Sequence, residues 1–460
     1  MSEVTPTNGN IKLQKIRKMP SLSSISLKYF KSYQDATLTL GRLTVFIGAN
    51  ASGKSNAIEG LRLLSWLAQG NKLNNLHANM QNTGLLFRGR IQNLGYQNNL
   101  DFSLSCTTNA EWNNLSLTIS LRENELHITA EKLFKSGDAE KPLYHIVYPS
   151  SGINADVKVA YNNFKQGKKP QITCTDQMAI FTQLDSPANF TDKAQQVIPN
   201  VVRDYQRLLS NILFLDPIPA KMRDYSFTTD KYLQGDGTNL SSVLYHLWGN
   251  DQVANQAPYI QQRQTILAFI QSLPEQDIAT IGFLTGPRGE VMLELVETFG
   301  GQERRYDASL LSDGTLRVLA IAAAMLSATK GSLVVIEEID NGVHPSRAKH
   351  LLEQIQTTAK QRSLRVLLST HNPAMLDALP DEALPDVLFC YRDIQNGSSR
   401  IVRLQDTPDY PELIAQGSLG HLMTSGILER FIKFHPSPEE KRQKALAWLE
   451  QMRQLPVGND

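Results

Sequence analysis

The eight residues Gly48-Ala49-Asn50-Ala51-Ser52-Gly53-Lys54-Ser55 constrain the fold more than any other stretch of this 460-residue chain. They fit the pattern GxxxxGK[ST], and their flanks supply the context that the pattern needs. RLTVFI at 42–47 reads as a strand running straight into glycine, and AIEGLRLLSWLAQ at 57–69 places Ile58, Leu61, Leu64 and Leu67 at helical spacing. Strand, glycine-rich turn and helix in that order make a cradle for phosphate. Gly48 and Gly53 let the backbone, through Asn50 and Ser52, wrap a β-phosphate with its N–H groups, and the helix N-terminus adds positive potential. Lys54 reaches the β and γ oxygens, and Ser55 offers its hydroxyl to Mg²⁺.

Two further apolar runs, SLVVIEEID at 332–340 and LRVLLSTHN at 364–372, lack alternation, as strands buried on both faces do, and each follows a helical segment. The core is therefore expected to be α/β with parallel strands. SSISLKYFK at 23–31 reads as one more strand. From about 99 to 165 short alternating runs such as LSLTISL and ELHITA call for an antiparallel sheet. Residues 190–272 read as mostly helical, broken by DPIPAKMRDYS and LQGDGTNLS, with a capped helix start at GDGTNLSSVLYHLW and a hairpin at 280–298. Near the end, Ser437 and Pro438 mark another helix start, whose stripe of Ala445, Leu446, Trp448, Leu449 and Met452 is expected to cover its own head.

Composition excludes several classes. The chain is 41% hydrophobic and 20% charged, which is a globular rather than a disordered or fibrous balance. Lys and Arg number 46 against 45 Asp and Glu, so overall charge does not mark a nucleic-acid binder. Cys106, Cys174 and Cys390 are widely spaced, signal neither a disulfide framework nor a zinc site, and fit a reducing, cytoplasmic setting. The first twenty residues carry basic side chains without an apolar run, so they read as a mobile tail and not a secretory signal. No stretch approaches the roughly 18 consecutive apolar residues of a membrane span.

Three more elements carry chemistry. Leu311-Ser312-Asp313-Gly314-Thr315 opens an Ala/Leu-rich helix, so Ser312 and the Gly314 amide stand as donors at a helix N-terminus. Glu337 and Glu338 close an apolar strand at the end where α/β sheets bind ligands, and adjacent strand residues point opposite ways. One can then hold Mg²⁺ through water while the other orients or deprotonates an attacking water. His371 closes the next strand, within reach of a γ-phosphate or that water.

In the order P-loop, long insertion, LSDGT, VVIEEID and STHNP, the chain resembles the ABC-type ATPases of the SMC, RecF and OLD group. GANASGKSN with Asn56, EEIDNGVHP and STHNPAMLDAL look like motifs of that group's compact AAA-family members, in which DEPENGLHP and THSP are usual. SLGHLMTSGILERF resembles their C-terminal segment. The resemblance covers residues 22–70 and 305–428. It implies an α/β P-loop NTPase head of the ABC type, with a mixed central sheet and β-rich and helical insertions. The head would be built from 1–90 and 275–428, with a β-rich insertion at 91–190, a helical insertion at 191–274 and a C-terminal helical segment at 429–460.

The resemblance further implies ATP and Mg²⁺ as cofactors, with Lys54 and Ser55 in the Walker A roles and Glu337 at the Walker B metal position. Glu338 becomes the catalytic acid, Asp340 to His344 the D-loop and His371 the switch histidine. Ser312, Asp313 and Gly314 become the signature that meets the γ-phosphate of an opposite subunit. The chain departs from the pattern at Glu337, where aspartate is usual and whose extra methylene shifts the metal and slows hydrolysis, and at Ile339, where proline is usual. The Q-loop glutamine is not placed; Gln92 and Gln97 are its candidates.

A head that separates its P-loop from its signature implies a homodimer sandwiching two ATP molecules. Three readings follow. One is the ATPase subunit of a bacterial antiphage defence system, similar to Septu-type, PARIS-type or retron-associated ATPases that control a separately encoded nuclease or toxin. The others are a RecF-like repair ATPase, for which nucleic acid is a partner, and a non-hydrolysing ATP-dependent scaffold. Residues 372–460 are too few for the Toprim nuclease of OLD proteins, and long heptad arms are absent, which favours the first. Arg88, Arg90 and Arg223 read as solvated arginines unless DNA or nucleotide approaches them.

Overall fold

The structure is a computed structural model that describes residues 20–76, 88–149, 156–249, 256–270 and 277–434. The expected N-terminal tail and the Ser437–Met452 helix lie outside the described residues.

The central sheet has the strand order β10 (Leu213–Leu215), β15 (Leu333–Ile336), β16 (Arg365–Ser369), β3 (Leu43–Ile47), β17 (Val387–Arg392) and β18 (Ser399–Arg403). The first five are parallel and β18 pairs antiparallel with β17. Its middle strands are buried on both faces, which is why they read as unbroken apolar runs. Side chains alternate between two cores: Leu333, Val335 and Leu367 face one, while Val334, Ile336, Val366 and Leu368 face the other. The helices are α1 (Lys54–Ala68), α2 (Asp192–Ser210), α3 (Pro219–Met222), α4 (Leu240–Trp248), α5 (Ala257–Ile270), α6 (Asp313–Ser327), α7 (Ala348–Arg362), α8 (Pro373–Asp377), α9 (Tyr410–Ile414), α10 (Leu419–Thr424) and α11 (Ile427–Lys433). α1 and α2 belong to the first core, and α4 to α7 to the second.

A second, antiparallel sheet of eight strands runs in the order β2 (Tyr33–Thr39), β1 (Leu22–Phe30), β4 (Asp101–Thr108), β5 (Asn114–Arg122), β6 (Glu125–Phe134), β7 (Tyr144–Tyr148), β8 (Asp156–Tyr161) and β9 (Gln171–Thr175). The alternation read at 99–165 is this sheet, half-buried on α1 and α2. β4 pairs with β1, so the strands of 91–190 extend the sheet that the head's first residues open, and do not form one of their own. α1 is apolar around most of its circumference because it serves the same core as both sheets. Its one buried acid, Glu59, is paired with Lys31 and Arg88.

A third sheet joins β13 (Glu290–Phe299) to β12 (Ile278–Thr285), β14 (Gln302–Asp307) and the two-residue β11 (Ser226–Phe227). β12 and β13 are the expected hairpin. The helix start at GDGTNLSSVLYHLW is α4, but Asn239 does not cap it. Its side chain accepts from Gln234 N and donates to the Tyr232 carbonyl, tying down the loop before the helix.

In the eight-stranded sheet, Glu131 is fully buried and accepts from Tyr144 Oη, Ile180 N and Phe181 N. Burial pushes its carboxyl up to about 7, against the pull of those three donors. The native state therefore holds a proton that the unfolded chain releases near 4.5, and stability falls as pH rises through about 7. Thermal melts at a series of pH values are expected to lose on the order of 3 kcal/mol between pH 4.5 and 8 from this group. Glu131→Gln should remove that slope, although its amide, facing Ile180 N–H, lowers stability throughout.

Candidate functional site

β15, β16 and β3 are adjacent and parallel, so their carboxyl ends lie along one edge, where α/β sheets bind ligands. β3 runs directly into the loop at 48–55. Gly48 has φ 146°, Gly53 φ 122° and Ala51 φ 62°. A Cβ on Gly48 would fall inside the carbonyl oxygen of Cys390 on β17, so only glycine fits there. The loop is fastened from behind: Tyr33 Oη donates to the Gly53 carbonyl at 2.9 Å, and Ser399 Oγ and Cys390 Sγ donate to that of Ser52. Burial raises Tyr33 well above its ordinary pKa and raises Cys390 too, which keeps both protonated and donating.

The front of the loop has the opposite character. Lys54 Nζ donates to the carbonyls of Gly48 and Ala49 at 2.6 and 3.1 Å, and burial lowers its pKa while Cys390, Glu338 and Asp340 hold it up. Ser52 Oγ is buried with no hydrogen-bond partner among the described residues. Ala49 and Asn50 are exposed, and Ser55 stands in the first turn of α1, whose leading N–H groups have no helical acceptor. Donors thus line a cradle that admits no side chain at Gly48, a fit to nucleotide phosphates. The Ser55 hydroxyl and Glu337 carboxylate are hard oxygen donors of the kind Mg²⁺ takes. Asn56 has another partner, because its amide nitrogen donates to Ser32 Oγ and ties α1 to the β1–β2 turn.

Glu337 and Glu338 follow β15, which ends at Ile336, and they diverge through a left-handed turn at Glu338 rather than through strand alternation. Glu337 lies inside, with its N–H on the Leu215 carbonyl and its Oε1 2.6 Å from Arg62 Nη2. The Arg62 guanidinium sits 4.8 Å from the Phe214 ring centroid. Burial raises the Glu337 carboxyl and Arg62 draws it back. Arg62 is seven residues beyond Ser55, two turns along the same face of α1, so one helix face carries both the Ser55 hydroxyl and the cation that holds the Glu337 carboxylate.

Glu338 adopts φ 48°, a left-handed conformation that costs a glutamate about 1 kcal/mol or more. Ser369, at the end of β16, holds that turn by accepting from Glu338 N through its hydroxyl and from Ile339 N through its carbonyl. The Glu338 side chain is exposed and accepts from Asn341 Nδ2 at 2.7 Å.

His371 follows β16 and is 43% exposed, with Nδ1 3.4 Å from Asp340 Oδ2. Thr370 Oγ1 donates to Asp340 Oδ1 at 2.7 Å, so Asp340, expected at the nucleotide, backs the histidine and also helps hold up the Lys54 pKa. After His371 comes α8, and Gly420 N on α10 donates to Asp377 Oδ1. A Cβ on Gly420 would strike the Pro373 carbonyl, so α10 lies against α8 backbone to backbone. SLGHLMTSGILERF is this support for the segment behind the histidine.

The LSDGT motif is built elsewhere. Ser312 caps α6, accepting from Thr315 N at 3.1 Å, and is exposed together with Asp313. Gly314 lies against the Gly342 carbonyl in the segment after Glu338. Asp313, also expected at phosphate, pairs with Arg223 at 2.7 Å. The motif's neighbours are thus Arg223 and Gly342, whereas the 48–55 loop is held by β17, β18 and the β1–β2 turn. Of the Q-loop candidates, Gln92 faces Asn124 on the β5–β6 turn and Gln97 is exposed with φ 49°. Arg88 pairs with Glu59, and Arg90 is exposed. Among the described residues, no helix is long and apolar enough to cross a membrane, and no group of three or more His, Cys, Asp or Glu is placed to hold a metal ion.

Sequence reasoning found the motif residues and missed those that hold them: Ser32, Tyr33, Arg62, Ser369, Cys390 and Ser399. Of these, Ser369, as the first letter of STHNP, and Arg62, within AIEGLRLLSWLAQ, stood inside recognised runs, but neither was given a supporting role.

No curated protein matches the chain. Solved structures similar to it include an SMC head bound to the C-winged helix domain of ScpA (13% identity, 83% of this chain, 97% of that one, TM-score 0.44). The SMC head domain from Thermotoga maritima gives 14%, 83%, 98% and 0.38. A Pyrococcus furiosus Smc head domain with an extended coiled coil, bound to the C-terminal domain of ScpA, gives 12%, 90%, 100% and 0.43. One family, described as "AAA domain, putative AbiEii toxin, Type IV TA system", matches residues 43–122 and 183–377. That match takes in the 48–55 loop, the 311–315 motif, Glu337, Glu338 and His371 and spans more than half of the sequence, so the chain belongs to this family of AAA domains.

Proposed function

We propose that this protein binds and hydrolyses ATP with Mg²⁺ and that two copies close head to tail around two nucleotides, regulating a separately encoded effector nuclease or toxin of an antiphage defence complex. The observation that carries the reading is the convergence of Lys54, Glu337, Glu338 and His371 at the ends of adjacent strands, while Ser312 and Gly314 stand on a different set of elements. Bound Mg²⁺ would neutralise phosphate charge as the γ-phosphoryl leaves. The chain's own residues do the rest. Lys54 and the loop N–H groups bind the phosphates, and Ser55 and Glu337 would hold the metal. Glu338 orients and deprotonates the attacking water, and His371, steadied by Asp340, faces the γ-phosphate. In this reading residues 1–90 and 275–428 form the head, 91–190 and 191–274 its inserted pieces and 429–460 a C-terminal segment.

The family's description names a toxin–antitoxin system, which supports control of a toxic effector. Nucleotide state would act as the switch, with ATP favouring the closed pair and hydrolysis releasing it. Sedimentation of Glu338→Gln with ATP and Mg²⁺ should show a dimer that disappears with ADP. A variant that stays monomeric at micromolar concentration refutes the head-to-tail arrangement. Hydrolysis stimulated by DNA with a steep salt dependence would instead select a RecF-like repair ATPase.

A further inference from the structure

The 311–315 motif contains a charge conflict. Ser312 Oγ and the leading N–H groups of α6 make a receptor for an anion, yet Asp313, the first residue of that helix, carries a carboxylate whose side chain is 67% exposed. A phosphate arriving from another molecule meets that negative charge first. Arg223 removes it. From the turn after α3, 90 residues earlier in the chain, its Nη2 donates to Asp313 Oδ1 at 2.7 Å and to the Leu311 carbonyl at 2.9 Å.

The same nitrogen thus neutralises the carboxylate and occupies the carbonyl immediately before Ser312, both of which would repel a phosphate. The adjacent cation is already committed, since Lys221 pairs with Asp236. An ion pair this exposed contributes little to folding, so its consequence falls on what approaches the surface.

We infer that Arg223 is the positioning residue of this half-site: by holding Asp313 and the Leu311 carbonyl, it makes the start of α6 able to receive the γ-phosphate of ATP carried by a second copy of the chain. The inference rests on the head-to-tail dimer proposed above and adds to it a residue outside every motif.

The test uses full-length protein carrying Glu338→Gln, with dimerisation followed by sedimentation in ATP and Mg²⁺, and ATP binding to the single subunit measured with a fluorescent ATP analogue at protein concentrations far below the dimer's Kd. Adding Arg223→Ala should raise the Kd of the dimer by about tenfold or more while subunit affinity for nucleotide stays within about twofold. Adding Asp313→Asn to that variant should bring the Kd back to within about threefold of the parent, because no carboxylate then remains to be neutralised. A dimer Kd unmoved by Arg223→Ala overturns the inference. So does a parallel loss of subunit ATP affinity, or a failure of Asp313→Asn to restore dimerisation, either of which would make Arg223 a folding contact only. If the Glu338→Gln parent itself does not dimerise, the head-to-tail reading fails first, which the parent measurement shows by itself.

Discussion

Glu338→Gln is expected to slow ATP turnover by about 10²- to 10⁴-fold, the range associated with losing a general base, while ATP affinity stays within about twofold. The substitution is suited to this position because it leaves the surroundings intact. The left-handed turn is fixed through backbone atoms, with Ser369 accepting from both Glu338 N and Ile339 N, so the new side chain inherits the same φ. Gln Oε1 still accepts from Asn341 Nδ2, as the glutamate does at 2.7 Å. What disappears is the ability to take a proton, together with the negative charge that helps hold up the Lys54 pKa. Phosphate release at saturating ATP reads the first effect and equilibrium nucleotide binding the second. A turnover within a few-fold of the parent would remove Glu338 from the catalytic role.

Gly48→Ala should abolish measurable ATP binding. The methyl group enters the space of the Cys390 carbonyl, which is fixed in β17 and cannot retreat without opening the sheet, and φ 146° is foreign to alanine. Backbone strain of this kind costs about 1–3 kcal/mol, and relieving it turns the loop N–H groups away from their common focus. Gly137→Ala is the control, since it has φ 81° but nothing within 4 Å of its Cβ. Gly137→Ala should lower the melting temperature slightly and leave nucleotide affinity unchanged. If both variants bind ATP like the parent, the loop's shape does not depend on the Cys390 contact.

What the sequence disclosed follows from how local each feature is. β3, β15 and β16 were legible because burial on both faces makes their composition continuous and apolar. β10 has three residues and β14 is the polar run QERRYD, too short or too hydrophilic to carry a period. The motif residues were legible because their chemistry is contiguous: Gly48 to Ser55 act as one loop. Their supports are not contiguous. Tyr33 reaches Gly53 across 20 positions and Ser399 reaches Ser52 across 347, and no spacing rule links such residues before the sheets bring them together. Asp313 and Asp340 hold contacts that motif position did not suggest, with Arg223 and with His371 and Thr370.

Gly420 brings no side chain of its own to its contact with the Pro373 carbonyl, and its N–H is tied to the Asp377 carboxylate of the same helix. Pro373 stands two residues after His371 and opens a helix of only five residues. A shift of α10 toward α8 would therefore press first on the Pro373 carbonyl, in the stretch of chain that directly follows the histidine. The C-terminal helices thus bear on the segment behind His371 from outside the 48–55 loop.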